Sequence, residues 1–215
     1  MIVTELVFVR HGEAQCNVDG IVGGPRTCTG LTDLGRRQMA VTAAQLAIEH
    51  EAARFTHLYA GPRLRLRQSG RILADALNLP LTVSTSLDGP VHGEADGKPW
   101  HAIKTLFRGG PHAHPDRPWA PGSDTWNGYL HHAGTMLAAL IRRHEGERLL
   151  FAVHGETVLT AHTLLLELRP GVTAGFTVDH ASITRWDQHR NRFGAERWML
   201  ARHNDTAHLT SSSTP

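Results

Sequence analysis

Two apolar runs in this chain end in the same way. "LVFV" leads straight into Arg10 and His11, and "FAV" leads into His154. A cation and an imidazole at the end of a buried strand suit a negatively charged ligand. An imidazole nitrogen can attack phosphorus and form a phosphohistidine, which splits one difficult transfer into two easier ones. The transition state spreads negative charge over the phosphoryl oxygens, so catalysis is mostly positioning and stabilisation by fixed donors. Arginine suits that task because its planar fork binds two oxygens at once. A second histidine can donate to the same oxygens. A carboxylic acid usually protonates the leaving alkoxide and then deprotonates the attacking water. Such chemistry needs no metal, and no cofactor is expected.

These residues need a frame to hold them. "IVTELVFV" at 2–9 reads as a buried strand, and a Gly-rich loop follows to about Gly30. "LTDLGRRQMAVTAAQLAIEHE" reads as a helix capped by Thr32. "THLYAG" reads as a second strand, Pro62 as the opening of a helix running through "RLRLRQSGRILADALN", and "LTVSTSL" as a third strand. "DTWNGYLHHAGTMLAALIRRHE" is expected to be a helix capped by Ser123 or Asp124. "RLLFAVHGE" is expected to be a strand, and "TVLTAHTLLLEL" a helix stopped at Arg169-Pro170. "HASITRWDQH" and "RFGAERWMLARHN" suggest a closing hairpin, and the tail from about 210 to 215 is expected to be disordered. Alternating strands and helices imply an α/β layered fold, with ligands at the carboxyl ends of the parallel strands. The expectation is one domain over 1–215: three layers, a mostly parallel central sheet with helices on both faces, and an inserted cap at about 88–122. That segment is rich in Gly, Pro and His, as binding loops and lids often are.

Composition narrows the partners. The chain has 215 residues, a formal net charge of +2 and no block of like charges, so nucleic-acid binding is not expected. No apolar run is long enough to span a membrane, and no basic, apolar leader opens the chain. Cys16 and Cys28 show no metal-ligand spacing and read as free thiols in a reducing cytoplasm, with no metal site expected. The expected partners are a small phosphorylated metabolite and a second copy of the chain in a homodimer.

The ordered motifs carry a resemblance. "RHGEAQCN" with "GLTDLGRRQ", then "LYAGPRLRLRQSG", then "FAVHGE", then "NDTAHL" resemble the histidine phosphatase superfamily, in its phosphoglycerate mutase-like branch, over nearly the whole chain. The resemblance implies a phosphoglycerate mutase-like fold. It makes His11 the phosphorylated nucleophile, with Arg10, Arg65 and His154 on the phosphoryl oxygens and Asn17 as a further donor. Gly23 in the Gly-rich loop is counted with the substrate-binding residues. Glu13 is expected to make a supporting polar contact. Arg63 and Arg67, beside Arg65, are expected on a solvated or ion-paired helix face.

One position departs from the pattern. In this branch the proton-donating Glu lies in a Leu-x-Glu-x-x-x-Gly segment, and alignment on Leu87 and Gly93 puts Gly89 at its place. Asp88 or Glu94 is a candidate substitute, with Glu156 as a polar contact or alternative acid. His92 and Arg108 are candidate substrate contacts from the cap. Alternatively the leaving group needs little protonation, or turnover is weak. The expected function is a metal-independent phosphatase of the histidine phosphatase type. The alternatives are a phosphoglycerate mutase-type transferase and a phospho-ligand binding or regulatory protein with weakened catalysis.

Overall fold

The computed structural model describes residues 1–169 and 174–210. Its centre is β1 (Ile2–Arg10), in which Leu6 to Val9 are completely buried. A strand covered on both faces reads as a continuous apolar run, which is why the sequence shows no alternation there. The other strands are β2 (His57–Ala60), β3 (Leu81–Val83), β4 (Arg148–Val153), β5 (Ile183–Arg190) and β6 (Glu196–Asp205). They form one six-stranded sheet in the order β3-β2-β4-β1-β5-β6. The β3, β2, β4 and β1 strands run parallel, while β5 pairs antiparallel with β1 and with β6. The sheet is therefore mixed: the closing hairpin adds its antiparallel edge.

Helices α2 (Asp33–Ala52) and α3 (Leu64–Leu77) cover one face, where Met39, Leu46 and Leu73 pack on Val7, Val9, Leu58 and Leu150. Helices α5 (Trp126–Arg143) and α6 (Gly155–Leu165) cover the other, where Leu137 and Val158 meet Leu6, Phe8, Leu149, Phe151 and Trp186. Three layers result, with two cores separated by the sheet. Short helices α1 (Gln15–Val18), α4 (Trp100–Phe107) and α7 (Ala207–Thr210) complete the set.

Several boundaries differ from expectation for local reasons. Pro62 stands one residue outside the cap of α3, which is Arg63. Thr125, rather than Ser123 or Asp124, caps α5, its hydroxyl accepting from Gly128 N at 3.0 Å. Only Leu81–Val83 of "LTVSTSL" is strand; Thr85–Leu87 turns as a 3-10 helix with Ser84 as its cap. Helix α6 ends at Leu165, and Glu167 is left-handed. Its expected stop at Pro170 and the tail from 211 onward lie outside the described residues. Thr32 caps α2 as expected, accepting from Gly35 N at 3.0 Å.

The 88–122 segment has a small core of its own. Ile103, Phe107, Trp119 and Ala95 pack there with Val22 from the loop after β1. Trp119 and Trp100 thus serve packing, and Trp126 lies against Tyr129 at 6.0 Å between ring centroids.

Candidate active site

The carboxyl ends of β1 and β4 lie side by side, Arg10 level with Val153. His11 and His154 therefore leave the sheet together, their ring centroids 5.3 Å apart and almost perpendicular. The loop after His11 is pinned on α2 by close backbone contact. A Cβ on Gly12 would sit 2.2 Å from Gly35 O, and one on Gly35 would sit 2.0 Å from Glu13 O. Glycine is required at both positions, which explains their place in the motifs. Glu13 supports the same junction: its carboxylate accepts from Thr32 Oγ1 at 2.8 Å. The closing motif does similar work, because His208 Nε2 lies 2.9 Å from Thr42 Oγ1 and 3.2 Å from Ala181 O.

Arg65, in the first turn of α3, links the reacting groups. Its Nε donates to His11 Nε2 at 3.2 Å, and its other nitrogens reach Gly23 O at 2.9 Å and His154 Nδ1 at 3.4 Å. His11 Nδ1 lies 2.7 Å from Gly12 O. Both bonds of His11 are satisfied by one tautomer, with the proton on Nδ1 and the lone pair on Nε2. His11 and His154 are buried, and burial is the main reason that both are held well below their ordinary 6.5; Arg65 adds to it in each case. Neutral imidazoles beside guanidinium groups are what an attacking nitrogen requires.

A cavity of about 60 Å³ opens on these groups. Arg10, His11, Arg65 and His154 line it together with Asn17, Gly23, His92 and Glu156. Asn17 also caps its own loop, its Oδ1 accepting from Ala14 N at 3.0 Å. Cys16 lines the cavity too, but burial pushes its thiol up, which disfavours the nucleophilic thiolate.

The candidate carboxylates separate clearly. Asp88 is spent on structure: its Oδ1 lies 2.7 Å from Arg63 Nε, accepts from Gly89 N at 2.9 Å and is 3.8 Å from His154 Nε2. Glu94 is exposed and away from the cavity, its backbone N donating to Pro121 O. Glu156, in the first turn of α6, is the one carboxylate among the cavity's described lining residues. Arg108 is also away from the cavity; it ends α4 in a left-handed turn with its side chain exposed.

Arg63 is ion-paired, as one alternative had it, but not on a helix face. It is buried at the cavity wall, 4% exposed, where it reaches Gly23 O, Pro90 O and Asp88. A Cβ at residue 89 would lie 2.8 Å from His154 Cδ2 and 3.4 Å from Arg63 NH1. Gly89 is therefore the residue that lets Arg63 and His154 approach each other. Sequence reasoning placed Arg63 as the second residue of a helix; as its cap, the side chain points elsewhere.

His180 was missed altogether. Its Nε2 lies 3.0 Å from Arg10 NH2, and its ring centroid is 5.7 Å from that of His11. Arg10 also donates to Val178 O. Burial lowers His180 to about 4, as it does His92. His180 belongs to no motif, and the topology that returns β5 beside β1 brings it in.

His11 and His154 at the strand ends, with Arg10 from β1 and Arg65 from α3 beside them, make a buried pocket suited to phosphoryl oxygens. The chain belongs to the histidine phosphatase superfamily (branch 1), whose family model matches residues 6–205. It is similar to a probable phosphoglycerate mutase GpmB of Yersinia enterocolitica, 23% identical, over 95% of this chain and 94% of that one. It is 22% identical to a metal-independent phosphoserine phosphatase of Arabidopsis thaliana, over 97% of this chain and 84% of that one. Among solved structures, a mycobacterial glucosyl-3-phosphoglycerate phosphatase superposes with a TM-score of 0.76 at 21% identity, covering 94% and 99% of the two chains. No helix among the described residues is long and apolar enough to cross a membrane.

Proposed function

We propose that this chain hydrolyses a small phosphomonoester through a phosphohistidine on His11, without a metal at the reacting centre. The observation that carries the reading is the pair of contacts at His11, Nδ1 at 2.7 Å from Gly12 O and Nε2 at 3.2 Å from the donating Arg65 Nε, which together select one tautomer. Gly12 O holds the proton on Nδ1, and the Nε2 lone pair faces the guanidinium groups that would bind phosphoryl oxygens. In the first step His11 Nε2 bonds to phosphorus and the ester P–O bond breaks. Glu156 gives its proton to the leaving oxygen. In the second step water attacks phosphorus, Glu156 takes a proton from it, and the P–N bond breaks. Arg10, Arg65 and His154 bind the oxygens in both steps. Glu156 takes the acid role because it is the carboxylate that lines the cavity, whereas Asp88 is committed to Arg63.

The substrate is a small phosphorylated metabolite met in a reducing cytoplasm, where two free thiols persist. Relatives named for phosphoserine and phosphoglycerate chemistry make those esters the first to try. A metabolite panel assayed with chelator present should give free phosphate from at least one alkyl phosphate. The likeness to GpmB favours a mutase as the second reading. Exchange between phosphoglycerate isomers without phosphate release would select it. Tight binding of a phosphate ester with neither outcome would make the protein a phospho-ligand binder.

A further inference from the structure

At the other end of the sheet, three side chains form a group that the phosphatase chemistry does not use. His57 opens β2, His144 ends α5, and Glu147 immediately precedes β4. Glu147 Oε2 lies 2.6 Å from His57 Nδ1 and 3.3 Å from His144 Nδ1. One ligating atom from each residue falls within 4.8 Å of the others. The two imidazole rings stand 4.2 Å apart, centroid to centroid.

Three features go beyond a carboxylate between two histidines. His57 Nδ1 is buried and out of line for a hydrogen bond despite its 2.6 Å approach to the carboxylate. Two donors about 2.0 Å from one tetrahedral ion stand roughly 3.3 Å apart, so an ion would part this pair by less than about 1 Å. Tyr59 OH lies 2.7 Å from His144 Nε2, a buried contact in which the hydroxyl oxygen can accept from Nε2–H and leave Nδ1 with its lone pair towards the group. Thr56 Oγ1 donates to Glu147 Oε2 at 2.9 Å and fixes the carboxylate. Both His57 and Glu147 are part-exposed, which leaves one side open to water.

We propose that His57, His144 and Glu147 form a divalent-metal site of zinc type, with two imidazole nitrogens, one carboxylate oxygen and water in the fourth position. Two nitrogens and one oxygen around an open fourth position is a donor set that zinc accepts. The ion would clip the starts of β2 and β4 to the end of α5. Glu147 and His154 bracket β4, whose length puts them about 20 Å apart, so the clip acts on stability and not on the reacting groups.

The test uses the tag-free chain, stripped of metal and titrated with zinc by calorimetry, and with cobalt(II) followed by its visible absorption. One equivalent should bind, cobalt should show the intense bands of a tetrahedral site, and zinc should raise the melting temperature by mass action. His57→Ala and Glu147→Gln, both part-exposed positions, should each abolish that equivalent while phosphatase activity stays at the wild-type level. Tyr59→Phe should weaken zinc binding by about tenfold or more. Failure of zinc and cobalt to bind the wild type would overturn the proposal. So would binding that survives undiminished in both His57→Ala and Glu147→Gln, since the ion would then sit on other histidines.

Discussion

The β1 strand has arginine chemistry at both ends, and the two ends treat it in opposite ways. Near the amino end, Arg148 and Arg185 sit among Glu5 and Glu49. Arg148 Nε is 2.5 Å from Glu5 and Arg185 Nε is 3.7 Å from it, and both arginines also reach Glu49. Two cations answer two anions, and Arg148 also lies over the Phe55 ring at 4.0 Å. At the carboxyl end, Arg10 and Arg65 have no carboxylate in direct contact among the described residues; they are held by Val178 O, Gly23 O and the rings of His180, His11 and His154. Neutral acceptors orient a guanidinium without cancelling its charge. One end is therefore a structural ion cluster, and the other is a positive hollow that an anion completes.

The contrast can be broken most sharply at His11. His11→Ala should lower turnover by roughly 10⁴-fold or more with the fold intact, read by steady-state kinetics and circular dichroism. Glu156→Gln should come next, at about 10²–10⁴-fold on an alkyl phosphate and much less on p-nitrophenyl phosphate, whose leaving group needs little protonation. If Asp88→Asn shows that leaving-group dependence instead, the acid has been misplaced. At the neutralised end the effect should move from rate to stability. Arg148→Met strands Glu5 and Glu49 against Arg185 alone and should cost about 2–3 kcal/mol in chemical denaturation with kcat unchanged.

The most gradual effect is on pH. His11 and His154 titrate well below 6.5 when folded and near 6.5 when unfolded. Between those values the unfolded chain binds more protons, so stability is present above about 6.5 and falls as the pH drops. Each histidine contributes at most about 1.4 kcal/mol per pH unit over that window. Denaturation curves from pH 7.5 to 5 should show the slope, and His154→Asn should reduce it.

Much of this was legible in the sequence because it is written in local signals. The apolar runs before His11 and His154, the Thr32 cap and the ordered motifs each fix their own neighbourhood, and the parallel sheet then brings the strand ends together. What could not be read depends on distant chain. His180 enters because β5 returns antiparallel to β1, and no pattern around residue 180 announces that. Arg63 looked like a helix-face residue because one residue of helix phase decides whether it points outward or into the cavity wall. The commitment of Asp88 to Arg63 follows from that same local geometry, whereas the place of Glu156 beside the cavity was legible from its position just after the strand-end His154. Glu94 was a candidate as a carboxylate near Gly89 and Arg108 as a cation of the 88–122 segment, and both are exposed there.

The central claim is that His11 carries the phosphoryl group. Rapid quench during turnover of the best substrate, followed by proteolysis under alkaline conditions and mass spectrometry, tests it directly. The expected result is an acid-labile, alkali-stable phosphoryl group on the peptide containing His11, formed and consumed at rates compatible with kcat and missing in His11→Ala. Full turnover by His11→Ala, or a phosphoryl group found on another residue, would contradict the account.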